Sequence, residues 1–274
     1  MASFDEYKSL ARENKPIEFK GLTFKPLTVR QFDLYQAAKP SFELLQSSLP
    51  PKFAVLSWCN CLDELDKQSE AEGTKSVFLP LVTVTVSFAI GLQLIKDNGV
   101  ERTQIQTARD QNGRLLAFVI GLEDPVIITM SDMDEIRKII AAQNGYEIPD
   151  ELWNPELVRA QKYTASLGRS DIDYNFDDLV YSVAFNSHRT YSEVLDWTIR
   201  DFINMQSAID RTLNYQIFTL AEHSGFVKFK KGNPYPTWKF NRRTDMPSEF
   251  KTIAEMDAES KGLLGVTTKE VKEI

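Results

Sequence analysis

Four acids crowd residues 170–178, "SDIDYNFDD", where Asp171, Asp173, Asp177 and Asp178 could together offer several oxygens to a hard cation. The ligand order and central glycine of a calcium loop are missing, however. Asp177 and Asp178 suit the first turn of a helix, where carboxylates meet the positive end of the helix dipole. The softer ligands are Cys59, Cys61, His188 and His223. Cys-x-Cys is not a structural zinc spacing, and neither histidine has a partner at helical spacing, so no metal is expected. Residues two apart on a helix point to different sides, so both thiols are expected to be reduced and packed. The chain has no Gly-x-Ser-x-Gly elbow, no phosphate-cradling Gly-x-x-x-x-Gly-Lys loop and no Gly-x-Gly-x-x-Gly fingerprint. No catalytic residue and no cofactor is therefore named. An enzyme without a recognisable motif stays the more distant alternative, because active sites assemble from residues far apart in sequence.

The segment of unusual composition is 226–244, "FVKFKKGNPYPTWKFNRRT", with six Lys or Arg and no acid in a chain whose formal charge is -7. Phe229, Lys230, Lys231, Tyr235, Trp238, Lys239, Arg242 and Arg243 are the candidate partner-binding residues. Rings beside cations can bury apolar area on a protein partner while the cations meet its carboxylates at the rim. The same pattern could track phosphates and stack bases of a single strand, or simply pack locally. The acidic whole-chain charge disfavours a nucleic-acid footprint, and Pro234 and Pro236 favour an extended loop.

The elements that must position these residues are legible from turn and cap signals. A short helix from Ser3 precedes a hairpin, Ile17–Phe19 and Leu22–Phe24 about Lys20-Gly21. Thr28 reads as the cap of a helix that Pro40 interrupts. A second helix starts after Pro50-Pro51, carries Phe53, Leu56, Asn60 and Glu64, and leaves at Gly73. Asn112-Gly113 marks a hairpin, "PVIITM" at 125–130 a third strand, Ser131 a helix start and Asn144-Gly145 its stop. The second half reads as helices at Pro155–Leu167, Phe176–Phe185 and Ser192–His223. In the last of these, Leu195, Ile199, Phe202, Ile209, Leu213 and Leu220 form a stripe expected to be core.

Residues 76–95, "SVFLPLVTVTVSFAIGLQLI", contain no charge, and a run of ~20 apolar residues is what a bilayer-crossing helix needs. Pro80, the internal Thr83, Thr85, Ser87 and Gln93, and the lack of flanking Trp or Tyr weaken that reading. A strand would place Val82, Val84, Val86 and Phe88 on one face, yet the run is longer than a strand of ~5–6 residues. A buried helix with Pro80 in its first turn is preferred, so that charge introduced at Val84 or Phe88 should unfold the chain. The polar, acidic start shows no secretory signal, and a protein soluble in the cytoplasm is expected. The fold class is thus α+β and predominantly helical, with a short N-terminal hairpin and a small β element at about 100–130 between two helical regions. The regions are 1–98, 99–130, 131–246 with the aromatic-basic loop, and a tail at 247–274.

The segments "ENKPIEFKGLTFKPLTVRQFDLYQAAKP", "IRKIIAAQNGYEIPDELWNPEL" and "DWTIRDFINMQSAIDRTLNYQIFTLAEHSGFVKFKKGNPYPTWKF" together resemble a group of proteins from tailed phages and prophages of Gram-positive bacteria. That group is similar to tail-assembly chaperones and baseplate hub assembly proteins. The resemblance implies a non-enzymatic role in building a tail or baseplate, as chaperone or virion subunit, with the tape measure protein or baseplate subunits as partners. It also implies residence in the host-cell cytoplasm and, for a retained subunit, in the virion tail. A single-stranded nucleic-acid-binding accessory protein using 226–244 is the alternative.

Overall fold

The computed structural model describes residues 3–74, 77–92, 95–97, 100–121, 125–149, 175–224, 229 and 233–239. The helix expected at Pro155–Leu167, Asp171, Asp173 and the tail from 247 lie outside the described residues. The chain divides into two units, Met1–Gln206 and Ser207–Ile274. The fold is predominantly helical α+β, with small antiparallel sheets.

In the first unit, α1 (Phe4–Ala11) opens with a reciprocal Ser3–Glu6 capping box. Strands β1 (Ile17–Phe19) and β2 (Leu22–Phe24) pair antiparallel, with Lys20 and Gly21 both at positive φ in the turn, which a two-residue primed turn requires. Thr28 starts a 3-10 turn at Val29–Gln31 rather than the α-helix itself, and α2 follows as Phe32–Phe42. Pro40 does not interrupt α2. It sits near the C-terminal end, where losing one ladder hydrogen bond costs little of the helix. The helix expected after Pro51 is two: a single turn, α3 (Pro51–Ala54), then α4 (Trp58–Ala71), because the Ser57 side chain accepts from Asn60 N–H and starts a new helix.

Most of the described part of the uncharged run is helix, and only its last residue, Ile95, belongs to a strand. Its centre is α5 (Phe78–Ala89), twelve residues or about 18 Å, short of a ~30 Å hydrocarbon core. Among the described residues no helix is long and apolar enough to cross a membrane. Val77 supplies no cap to α5. Asp66 of α4 does so from outside, its two oxygens accepting from Phe78 N–H and Leu79 N–H at 2.8 Å each. Pro80 has no N–H to satisfy, so the first turn is complete. Leu79, Val82, Val86 and Ala89 are buried at helical spacing, whereas Val84 and Phe88 are only half-buried. The expectation that Val84 and Phe88 are the buried pair is therefore corrected to Val82 and Val86: both pairs sit one helical turn apart, and the face carrying Leu79, Val82, Val86 and Ala89 is the one packed into the core. Gly91 then turns left-handed, and Leu92 N–H reaches back to Ser87 C=O at 2.8 Å.

A hairpin and a three-stranded sheet follow. Strands β3 (Ile95–Asp97) and β4 (Val100–Arg102) form the hairpin, and β5 (Ile105–Arg109), β6 (Leu115–Ile120) and β7 (Val126–Thr129) form the three-stranded antiparallel sheet in that order. Helix α4 grips the β5–β6 hairpin twice. The Asn60 side-chain amide pairs with both backbone groups of Leu115, and Asp63 meets Arg109 through two bonds of 2.8 and 2.7 Å.

Helix α6 (Met130–Asn144) is the hub, buried nearly all round. Its cap is Thr129 in a capping box with Asp132, two residues before the expected Ser131, and Gly145 ends it left-handed as anticipated. Its polar side chains are buried because each serves a neighbouring element. Arg137 donates to the carbonyls of Phe42 and Leu44, capping the end of α2, and lies 4.9 Å over the Trp58 ring. Asn144 accepts from Leu27 N–H, Gln143 donates to Phe24 C=O, and Glu135 accepts from the Tyr7 hydroxyl at 2.8 Å. Next to this lattice the rings of Tyr35, Tyr146 and Phe42 stack at 4.8 Å spacings.

Helix α7 (Phe176–Ser187), capped by Asn175, continues two residues beyond expectation, to a left-handed His188. The helix expected at Ser192–His223 is broken into α8 (Tyr191–Leu195) and α9 (Ile199–His223). The break lets residues 197–199 pair with 27–29: Val29 N–H donates to Trp197 C=O and Ile199 N–H to Leu27 C=O. Backbone pairing there outweighs continuing the helix.

Candidate interaction surfaces

Several charged side chains of the first unit are tied to structural partners: Asp63 to Arg109 and Lys67, Arg137 to the carbonyls that close α2, and Glu135 to Tyr7 and Lys138. Burial pulls the Asp63 carboxyl upward, but hydrogen bonds and charge from Arg109 and Lys67 outweigh this and hold it below the ordinary carboxylate range. Burial pushes Asp134 up against the opposing pull of Arg137 and Lys138. Burial, reinforced by the bond to Glu135, pushes the Tyr7 phenol up to about 12. Cys59 and Cys61 are both buried, and burial drives the Cys59 thiol well above its usual value, so it stays protonated and unreactive. His188 caps α7 and His223 ends α9, each on its own element. Among the described residues no three His, Cys, Asp or Glu side chains group as metal ligands.

Two surfaces stand out instead. The first belongs to the second unit. At 100° per residue, Arg211, Tyr215, Phe218 and Glu222 of α9 share one face. The described part of the expected partner-binding segment, Phe229 and residues 233–239, contacts that face. Phe229 and Tyr235 pack on Phe218 with ring centroids 5.6 and 5.0 Å apart, Arg211 donates to Trp238 C=O at 3.0 Å, and Asn233 donates to Glu222 at 3.1 Å. The Asn233 side chain also accepts from Tyr235 N–H, closing a turn around Pro234. So Phe229 and Tyr235 are engaged locally, whereas the Trp238 side chain is 53% exposed and Lys239 is exposed beside it. Lys230, Lys231, Arg242 and Arg243 lie outside the described residues. The opposite face of α9 carries Leu213, Ile217 and Leu220, exposed by 46, 61 and 71%. The stripe expected to be core is therefore core only at Ile199 and Phe202, both fully buried. Periodicity defined the stripe but not how far along it packing extends.

The second surface belongs to the first unit, where sequence reasoning named only the acids. On α7, Tyr181 and Phe185 fall one turn apart and are 60% and 83% exposed, Phe185 being the most exposed large apolar side chain described. Tyr191 of α8 lies against Tyr181 at 4.7 Å between centroids and donates its hydroxyl to Asp177 at 2.6 Å. That bond to a carboxylate raises the Tyr191 phenol above its ordinary value. The signal available in the sequence was an aromatic pair at i, i+4 on a helix, Tyr181 and Phe185, which equally describes a core face. No protein-family model, curated protein or solved structure matches the chain.

Proposed function

We propose that this chain is a non-enzymatic protein of phage tail or baseplate morphogenesis, acting as assembly chaperone or structural subunit through contacts with the tape measure protein or baseplate subunits. The phage setting rests on the resemblance of the three quoted segments. The observation that carries the docking role is the division of labour in the aromatic-basic segment. Phe229 and Tyr235 anchor it to Phe218, and Trp238 is held outward with Lys239 beside it. A tryptophan preordered by its neighbours loses little freedom on binding and can bury a large ring, which is how interface hot spots work. Lys239 beside it steers an acidic partner and sets the association rate more than the affinity.

The test is capture of tail proteins from phage-producing cells by the tagged full chain. Tail proteins recovered with the wild type should be lost with Trp238→Ala, since a hot-spot truncation costs ~2 kcal/mol or more, about thirty-fold in affinity. Lys239→Glu should slow association and alter its salt dependence while leaving dissociation near normal. Recovery of host metabolic enzymes without tail proteins would refute the proposal. Retention of single-stranded oligonucleotides that falls steeply with salt would replace it with the nucleic-acid alternative.

A further inference from the structure

We infer that the α7–α8 surface is a second docking site, independent of Trp238, for a Lys- or Arg-bearing apolar segment of a partner protein. Isolated exposed apolar residues need no explanation, but a contiguous and rigid aromatic surface does. Tyr181 and Phe185 share the exposed face of α7, and Tyr191 packs against Tyr181. Tyr191 is fixed at its ring by Tyr181 and at its hydroxyl by Asp177, so the Tyr181–Tyr191 part of the surface is set before any partner arrives. The cores beneath are complete: Val180, Val183, Ala184 and Val194 are the buried side of α7 and α8. Tyr181 and Tyr191 tie α8 to α7, whereas Phe185, 83% exposed, stands outside this packing.

Charge identifies the occupant. Helix α7 contains two acids, Asp177 and Asp178, and no Lys or Arg. Nearby, Glu193 is 3.6 Å from Arg189 and Asp196 is 2.8 Å from Arg30, so those acids already face cations. Asp178, one turn from Tyr181 and two from Phe185, is exposed on the ring-bearing side of α7. A Lys or Arg stem can lie along Phe185 and Tyr181, its cation over a ring face and its charge toward Asp178. A second copy using the same surface would oppose Asp177 and Asp178 to themselves, and an anionic partner such as nucleic acid would meet the same repulsion.

The probe is a fluorescein-labelled peptide of alternating Lys and Leu, titrated onto the full chain by fluorescence polarisation, with an alternating Glu and Leu peptide as control. The Lys peptide should bind and the Glu peptide should not. Phe185→Ala should weaken binding at least ten-fold without changing the melting temperature, because Phe185 supports no core. Tyr181→Phe should bind as wild type, since the ring face and not the hydroxyl is used. Asp178→Asn should flatten the salt dependence, while Trp238→Ala should leave the site intact and so separates this inference from the proposed function. Equal binding of the two peptides, or Phe185→Ala binding like wild type, would overturn the inference. So would a concentration-dependent mass above 31.3 kDa that Phe185→Ala abolishes, because a second copy would then be the occupant.

Discussion

Removing the Asp66 carboxylate should destabilise the first unit through a helix that Asp66 does not belong to. Helix α5 begins at Phe78 with no cap of its own, and its first two N–H groups are each 2.8 Å from an Asp66 oxygen. Pro80 contributes no donor, and Leu81 N–H is met by Val77 C=O at 3.0 Å. Asp66→Ala therefore orphans two donors, one on buried Leu79 and one on half-buried Phe78. An unsatisfied buried donor costs about 1–3 kcal/mol, and loss of a carboxylate from a helix N-terminus adds about 0.3–1 kcal/mol. Partial access to water at Phe78 lowers the total, which comes to about 2–4 kcal/mol. For a unit of this size that is a fall in melting temperature of about 5–15 °C. Asp66→Asn keeps one acceptor and should lose about half as much. Urea unfolding followed by circular dichroism measures the difference, with Glu70→Ala on the exposed side of α4 as control. An Asp66→Ala shift within ~0.5 kcal/mol of wild type, like that of the control, would refute external capping as what starts α5.

Val86→Asp should leave no folded first unit in urea or thermal scans, because it buries an unpaired charge, while Val84→Asp on the half-buried side should cost markedly less. Arg137→Ala should destabilise by about 3 kcal/mol or more, since it orphans the Phe42 and Leu44 carbonyls, and Arg137→Lys should recover only part because an ammonium cannot reproduce the planar fork; chemical denaturation reads both. Asp63 has a lowered folded pKa, so its contribution is present above its unfolded value near 4 and disappears as pH falls through the folded value. Asp63→Asn should therefore flatten the acid limb of a stability-versus-pH curve while lowering stability at pH ~7. Asp134 has the opposite sign: its raised folded pKa makes ionisation costly, so stability is lost as pH rises above ~4, and Asp134→Asn should raise the melting temperature at neutral pH.

Local chemistry fixed much of the fold. Lys20-Gly21 and Asn112-Gly113 define their hairpins because the turn conformations are chosen by the residues in the turn, and the Ser3, Asn175 and Gly145 ends follow from side chains and φ values within a few positions. The two acids at the start of α7 were equally legible as a dipole-favoured first turn. Other features depended on groups distant in sequence. The start of α5 needs Asp66, twelve residues upstream, and the break before α9 exists because residues 27–29 take the backbone groups freed at 197–199. The burial of Arg137, Gln143 and Asn144 has the same origin, since polar side chains enter a core only where another element presents carbonyls or N–H groups to meet them. The candidate surfaces show the limit most plainly. A helical period says which side chains share a face, so Leu213 with Leu220 was visible as a pair, and Tyr181 with Phe185 obeys the same spacing although only the acids of that segment were singled out. Whether that face is core or surface is decided by what packs against it, and only the tertiary structure leaves those four exposed while burying Ile199 and Phe202 on the same period.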